Sequence, residues 1–232
     1  KFGIVIFVLL AGVAGYATSF QVEASFSIRH FLWFIGGLYF LSSGSLALNQ
    51  VQEYKLDQKM PRTSKRPIAS GKLKPAAGLI IACSMLFVGV NMLFELSPVA
   101  GLVAVASVIL YNGLYTLYWK PRWVFAAVPG AIPGALPITI GYAVNSSDIF
   151  NSESIYLFLI MFLWQMPHVW TLAIKFIEDY RLGQVLTLPV SLGVKKTLFH
   201  VGLYTFTYCG VAVASPFFLR TSWVYAALVF PF

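Results

Sequence analysis

The sequence predicts an all-α fold, a polytopic bundle of transmembrane helices. Three observations carry that prediction. Hydrophobic residues fill 59% of the 232 positions and charged residues only 10%, against roughly 25% charged in an ordinary soluble domain. The apolar residues come in continuous runs long enough to cross a bilayer, which takes about 20 residues per helix. A transmembrane barrel would show short alternating strands instead. Finally, the charges collect between the runs, and mostly on one side of them.

The first run, residues 2–19, is long enough to span and carries no small-residue cleavage site, so it reads as a helix rather than a signal peptide. Further spans are expected at 30–49, 76–94, 99–118, 123–144, 155–176 and 200–216, and an eighth opens at Trp223 and is still open at Phe232. The start at Lys1 and this open run lead us to expect a fragment. Cys83 and Cys209 fall inside spans, far apart and without metal-ligand spacing, and are expected to be buried free thiols.

All the basic residues except Arg29 and Arg220 precede the first span or lie in the loops after the second, fourth and sixth. By the positive-inside rule those segments face the cytoplasm, or the matrix of an organelle. The net charge of +8 therefore reports topology and an anionic ligand. Nucleic acid is excluded as a partner, because the basic loops lack the interleaved aromatic residues of a single-strand platform.

The second span runs into a dense polar segment, NQVQEYKLDQKMPRTSKRP, from Asn49 to Pro67. Asn49, Glu53 and Asp57 recur every four residues and so lie nearly along one helix face, each step rising about 6 Å. Pro61 disfavours helix at Met60, and Arg62, Lys65 and Arg66 follow in the turn. Oxygen ligands beside a cationic loop suit a divalent metal and a diphosphate bound together.

A second polar cluster closes the sixth span. Pro167 predicts a kink, Gln165 and His168 flank it, and Glu178, Asp179 and Arg181 follow. Both acidic clusters fall on the same side, so meeting helix ends would surround one cavity with four carboxylates and an Asn. A solvated, partly neutralised face is the plainer reading of Glu178 and Asp179. A histidine within a span points to function, and a hydrogen bond to a neighbouring helix would also explain it. Trp164 and Trp170 read as packing or interfacial anchors. The Gly- and Pro-rich stretch GAIPGALPITIGYA, residues 130–143, fits both a tightly packed helix and a ligand wall.

With these residues in view, the chain resembles the UbiA superfamily of intramembrane prenyltransferases, and within it the protoheme IX farnesyltransferase (haem O synthase) family. The superfamily pattern N-x-x-x-D-x-x-x-D stands here as Asn49, Glu53 and Asp57. The narrower M-x-R-T-x-x-R-P is matched by Met60, Arg62, Thr63, Arg66 and Pro67. W-Q-x-P-H-x-W-x-L-A-I is matched at Trp164, Gln165, Pro167, His168, Trp170, Leu172, Ala173 and Ile174. Glu178, Asp179 and Tyr180 stand for D-D-Y, Leu188 and Pro189 for a later L-P, and Gly134, Ala135 and Pro137 for G-A-x-P. Glu53 and Glu178 replace aspartates, which keeps the charge and lengthens the reach.

The resemblance implies a single membrane-embedded prenyltransferase domain over residues 1–232, truncated at its C-terminus relative to a nine-helix pattern. It implies Mg²⁺ held by Asn49, Glu53, Asp57, Glu178 and Asp179. The diphosphate of farnesyl diphosphate would be held by Arg62, Lys65, Arg66, Lys120 and Arg122. Asn49, Arg62, Arg66 and His168 become the candidate catalytic residues, with haem b as the substrate whose vinyl group accepts the farnesyl chain. His168 would contact haem as iron ligand, propionate partner or proton-handling group. A haem A synthase or oxidase-assembly proteins are the implied protein partners, and a bacterial inner membrane or the mitochondrial inner membrane the implied location. Prenylation of an aromatic quinone precursor is the nearest alternative. A transporter or assembly subunit without chemistry is the alternative of a different class, and would line several spans with charge.

Overall fold

In a computed structural model of the chain, residues 2–20 and 26–219 are described. They form helices α1 (Phe2–Ser19), α2 (Ile28–Asp57), α3 (Pro75–Leu96), α4 (Pro98–Arg122), α5 (Ala127–Ala143) and α6 (Ser152–Lys175). Short α7 (Ile177–Leu182) and α8 (Leu188–Leu192) then lead to α9 (Val194–Val213) and α10 (Ser215–Phe218). There is no strand among the described residues.

Five of these helices, α1, α2, α3, α4 and α6, are long and apolar enough to cross a membrane. The expected fifth span is α5, apolar but only 17 residues long, which is about the shortest helix that still crosses. The expected seventh is α9, whose 20 residues open on Lys195 and Lys196. With His200 and the threonines and tyrosines along it, these lysines lower its hydropathy and keep it out of the apolar set. The span expected from Trp223, together with Lys1 and Arg220, lies outside the described residues.

Helix α2 is longer than its apolar run. Its 30 residues extend about 45 Å, more than the roughly 30 Å of bilayer hydrocarbon, so the last turns carry the Asn49 stripe out of the apolar stretch without breaking. Ser27 caps its start by accepting from the His30 N–H. Past its end the chain tightens into turns, and the buried Thr63 hydroxyl donates to the Asp57 carbonyl at 2.9 Å.

Successive helices pack antiparallel, and α5 lies at the centre against α1, α4 and α6. Glycine sets the α1–α5 spacing: a Cβ on Gly15 would overlap the Ile138 carbonyl, and one on Gly141 the Gly12 carbonyl. A main core, including Tyr16, Phe34, Leu38, Leu93, Ala104 and Ile140, fills one end of the bundle. A smaller cluster of Ala131, Met166, Trp170 and Leu188 joins α5, α6 and α8. The antiparallel order brings the C-terminal ends of α2, α4 and α6 together at the other end, where the main core gives way to a cavity.

Both cysteines are free, as expected, but exposed rather than buried. The outer surface of a membrane bundle is itself apolar, so a thiol gains nothing by facing inward.

Candidate active site

A cavity of about 380 Å³ opens among α1, α2, α4, α5 and α6, within the roughly 300–1,000 Å³ usual for small-ligand sites. Asn49, Glu53 and Asp57 all line it, as their four-residue spacing on one α-helix predicts. Arg62, Arg66 and Lys120 line it as well. Its inner wall is apolar, with Leu38, Leu41, Ile140 and Val8, and Gly130, Pro133, Gly134 and Pro137 form the α5 side. The Gly/Pro stretch is thus both cavity wall and packed helix, at successive heights along one face of α5.

The charges are arranged in pairs. Both Asp57 carboxylate oxygens accept from Arg66 Nη1 at 2.7 Å, and Asp57 is only 2% exposed. Lys120 Nζ donates to Glu53 Oε1 at 2.6 Å. Arg62 Nε lies 3.8 Å from Asp179 Oδ2, and its guanidinium rests over the Phe176 ring at 4.7 Å. That last contact joins the turn after α2 to the segment after α6, so the two acidic clusters do approach one another. Asn49, buried, donates to Thr116 Oγ1 at 3.4 Å.

Other expected residues turn away from the cavity. Glu178 is exposed and pairs with Arg181 at 2.6 Å. Lys65 is exposed. Arg122 bends back to the Leu117 and Tyr118 carbonyls and lies over the Tyr118 ring. His168 stands on the outer surface of α6, stacked on Trp164 at 4.9 Å, and Trp164 stacks in turn on Phe7 of α1. Its neighbours Gln165, Met166 and Val169 line the cavity, and His168 does not. The helix stays continuous through Pro167.

The sequence profile of the UbiA prenyltransferase family matches residues 5–232. The chain belongs to that family. It is 66% identical, over 100% of its length and 80% of the relative's, to a protein from Bdellovibrio bacteriovorus named protoheme IX farnesyltransferase. A protein of the same name from Shouchella clausii is 32% identical, over 96% of this chain and 72% of that one. Among solved structures, a UbiA homolog from Aeropyrum pernix K1 superposes with a TM-score of 0.81 at 16% identity, covering 99% of this chain and 84% of that one. A UbiA homolog from Archaeoglobus fulgidus bound to GPP and Mg²⁺ gives 0.75 at 16% identity, covering 99% and 80%. At such identities the likeness is one of fold.

Several cavity residues of this UbiA-family chain lie outside the acidic and basic motifs. Tyr111 and Tyr115 stack with ring centroids 5.9 Å apart and line the cavity beside Lys120. Gly130 leaves room for the Tyr115 ring. Gln165 is held through Nε2 to the Ala131 and Met161 carbonyls, and a Cβ on Gly134 would collide with its side chain. Asn112, buried, accepts from Ser45 Oγ and donates to Gln52 Oε1. The tyrosines are four apart and share a face at the α-helical period, but that period puts Lys120 away from both, so the sequence did not join them to the acidic stripe. Gln165 was signalled, as a polar side chain beside an intramembrane proline.

The donor set can be tested against a metal. No three His, Cys, Asp or Glu side chains converge into a cage among the described residues. Mg²⁺ does not require one: it usually takes one or two carboxylates plus substrate phosphates. Glu53 and Asp57 on one stripe, with three cations alongside, fit a metal that arrives with a diphosphate.

Proposed function

We propose that this chain transfers the farnesyl group of farnesyl diphosphate to the vinyl group of haem b, forming haem O. The observation that carries the reading is the meeting in one cavity of the Asn49–Glu53–Asp57 stripe with Arg62, Arg66 and Lys120, above an apolar chamber. End-to-end identity to a protein named protoheme IX farnesyltransferase supports the choice of acceptor.

In this reading the diphosphate enters among Arg62, Arg66 and Lys120, whose charge-assisted hydrogen bonds stabilise the negative charge that develops as the allylic C–O bond breaks. Glu53, Asp57 and Asn49 would hold Mg²⁺, with Asp179 facing them across the Arg62 contact, and the metal would supply further Lewis-acid stabilisation of the leaving group. The C–O electron pair leaves with the diphosphate. The farnesyl cation is taken by the π electrons of the vinyl group, and water then adds to the adjacent carbon and loses a proton. The apolar walls keep water from the farnesyl cation until the acceptor has reacted. His168 is the haem contact, reached from the outer face of α6 beside Trp164. Lys65, Arg122 and Glu178 serve the rim. The basic loops face the cytoplasm or matrix, in the bacterial or mitochondrial inner membrane, by the positive-inside rule. A transporter reading loses ground, because the buried carboxylates cluster at one end of the bundle rather than along several spans.

The test is mass spectrometry of the products when the purified chain in lipid receives haem b, farnesyl diphosphate, Mg²⁺ and 4-hydroxybenzoate. Haem b gaining a farnesyl group and one hydroxyl supports the proposal. Recovery of unmodified haem b with a prenylated phenol would replace it with the quinone-precursor reading.

A further inference from the structure

Helix α4 changes pitch on its way to the active site. From Ile109 to Trp119 it is π-helical, a rare form in which each hydrogen bond closes one residue later than in an α-helix. The stretch ends with the Lys120 N–H donating to the Tyr115 carbonyl, five residues back. Thr116 fits the same pitch. Its buried hydroxyl donates to the Tyr111 carbonyl, also five residues back, at 2.8 Å, and accepts from Asn49 Nδ2.

The pitch decides where Lys120 points. An α-helix turns about 100° per residue. At that rate Lys120 would lie about half a turn from Tyr111 and well away from Tyr115. In the structure all three line one cavity, and Lys120 meets Glu53.

We propose that the π-helical stretch is a register device. It accommodates one residue more than an α-helix could carry between Tyr111 and Lys120, and so aims the lysine at the acidic stripe. Thr116 is its positioning residue, tying the wide turn to Asn49 on α2. The proposal rests on reading the cavity as a diphosphate site.

An unusual asymmetry follows. Removing one residue between Tyr115 and Lys120 leaves Tyr111, Tyr115 and the lysine four apart, on one face of an ordinary α-helix. Adding one residue swings the lysine off that face by about 100°. Leu117, 55% exposed on the outer surface, is the place to make both changes.

The experiment is calorimetry of inorganic pyrophosphate with Mg²⁺ on the full chain in lipid. It compares wild type, the Leu117 deletion, an alanine inserted after Leu117, Thr116→Val and Thr116→Ser. The deletion should bind nearly as wild type does. The insertion and Thr116→Val should weaken binding about tenfold or more, the loss expected for one charge-assisted hydrogen bond, and Thr116→Ser should restore it. A merely structural segment would suffer from deletion and insertion alike, and that symmetry overturns the register. If the insertion does not fold, Thr116→Val binding as wild type overturns it instead. Wild type that binds no pyrophosphate overturns the diphosphate reading itself, whereas wild-type binding with a symmetric response overturns the register alone.

Discussion

Asp57 shows how a charge is kept inside this bundle. Its carboxylate, almost fully buried, rests on a single Arg66 nitrogen, leaving the rest of the guanidinium free for a ligand. Arg66→Ala would strand the carboxylate at a cost of about 3–5 kcal/mol, to be seen as a lower melting temperature and less protein in the membrane. Arg66→Lys keeps one nitrogen for Asp57 but loses the planar fork. We expect near-normal abundance with turnover reduced about tenfold or more, the loss of a charge-assisted bond; normal turnover would confine Arg66 to structure. His168 makes the opposite case, exposed on α6 and remote from the charges. His168→Ala should lower haem O formation while leaving pyrophosphate binding intact, and His30→Ala should change neither. Undiminished haem O, by extraction and chromatography, would return His168 to ordinary packing against Trp164. At this scale the sequence identified the right chemistry more reliably than the right orientation. Asn49, Glu53 and Asp57 were legible because α2 keeps its α pitch through all three. Glu178, Lys65 and Arg122 have suitable charges, but at an exposed helix end such side chains find nearby partners, such as Arg181 for Glu178 and the Leu117 carbonyl for Arg122.

Among the elements, α5 was read as either wall or packing, and it is both because its small residues meet different partners along its length. Gly141 backs onto the Gly12 carbonyl, while Gly130 and Gly134 admit Tyr115 and Gln165. Gly141→Leu should therefore push α1 from α5 and cost about 1–3 kcal/mol, as overpacking does. The check is thermal unfolding in detergent, and an unchanged melting temperature would mean that the two helices have slack. Helix α4 shows why part of the site stayed hidden. Amphipathic reading assumes the α period, and at that period Tyr111 and Lys120 sit on opposite sides of the helix. A change of pitch leaves no trace in hydropathy, so residues that only the π turn aligns look unrelated. The length of α2 was legible from the polar stripe and the Pro61 stop, and not from hydropathy. Hydropathy stops at the edge of the apolar run, whereas the backbone continues for as long as its polar face has a cavity to look into.

For the molecule as a whole, the membrane class and most spans were legible because run length and composition suffice to define them. The spatial meeting of α2, α4 and α6 was legible only as an even-numbered set of helix ends on one side. Orientation is open to direct test. Single cysteines placed at Lys72 and Ser146, in a chain with Cys83 and Cys209 replaced, should react with a membrane-impermeant maleimide from opposite sides, Lys72 from the cytoplasmic side. Labelling of both from one side would break the antiparallel scheme. The paired charges of the cavity carry a last consequence. Glu53, Asp57 and Asp179 stand against Lys120, Arg66 and Arg62, so the six charges of the pocket balance one another. A stray divalent ion would gain a carboxylate only by orphaning its cation. A pocket matched in this way responds to a ligand that brings both signs at once, which makes it selective against single ions.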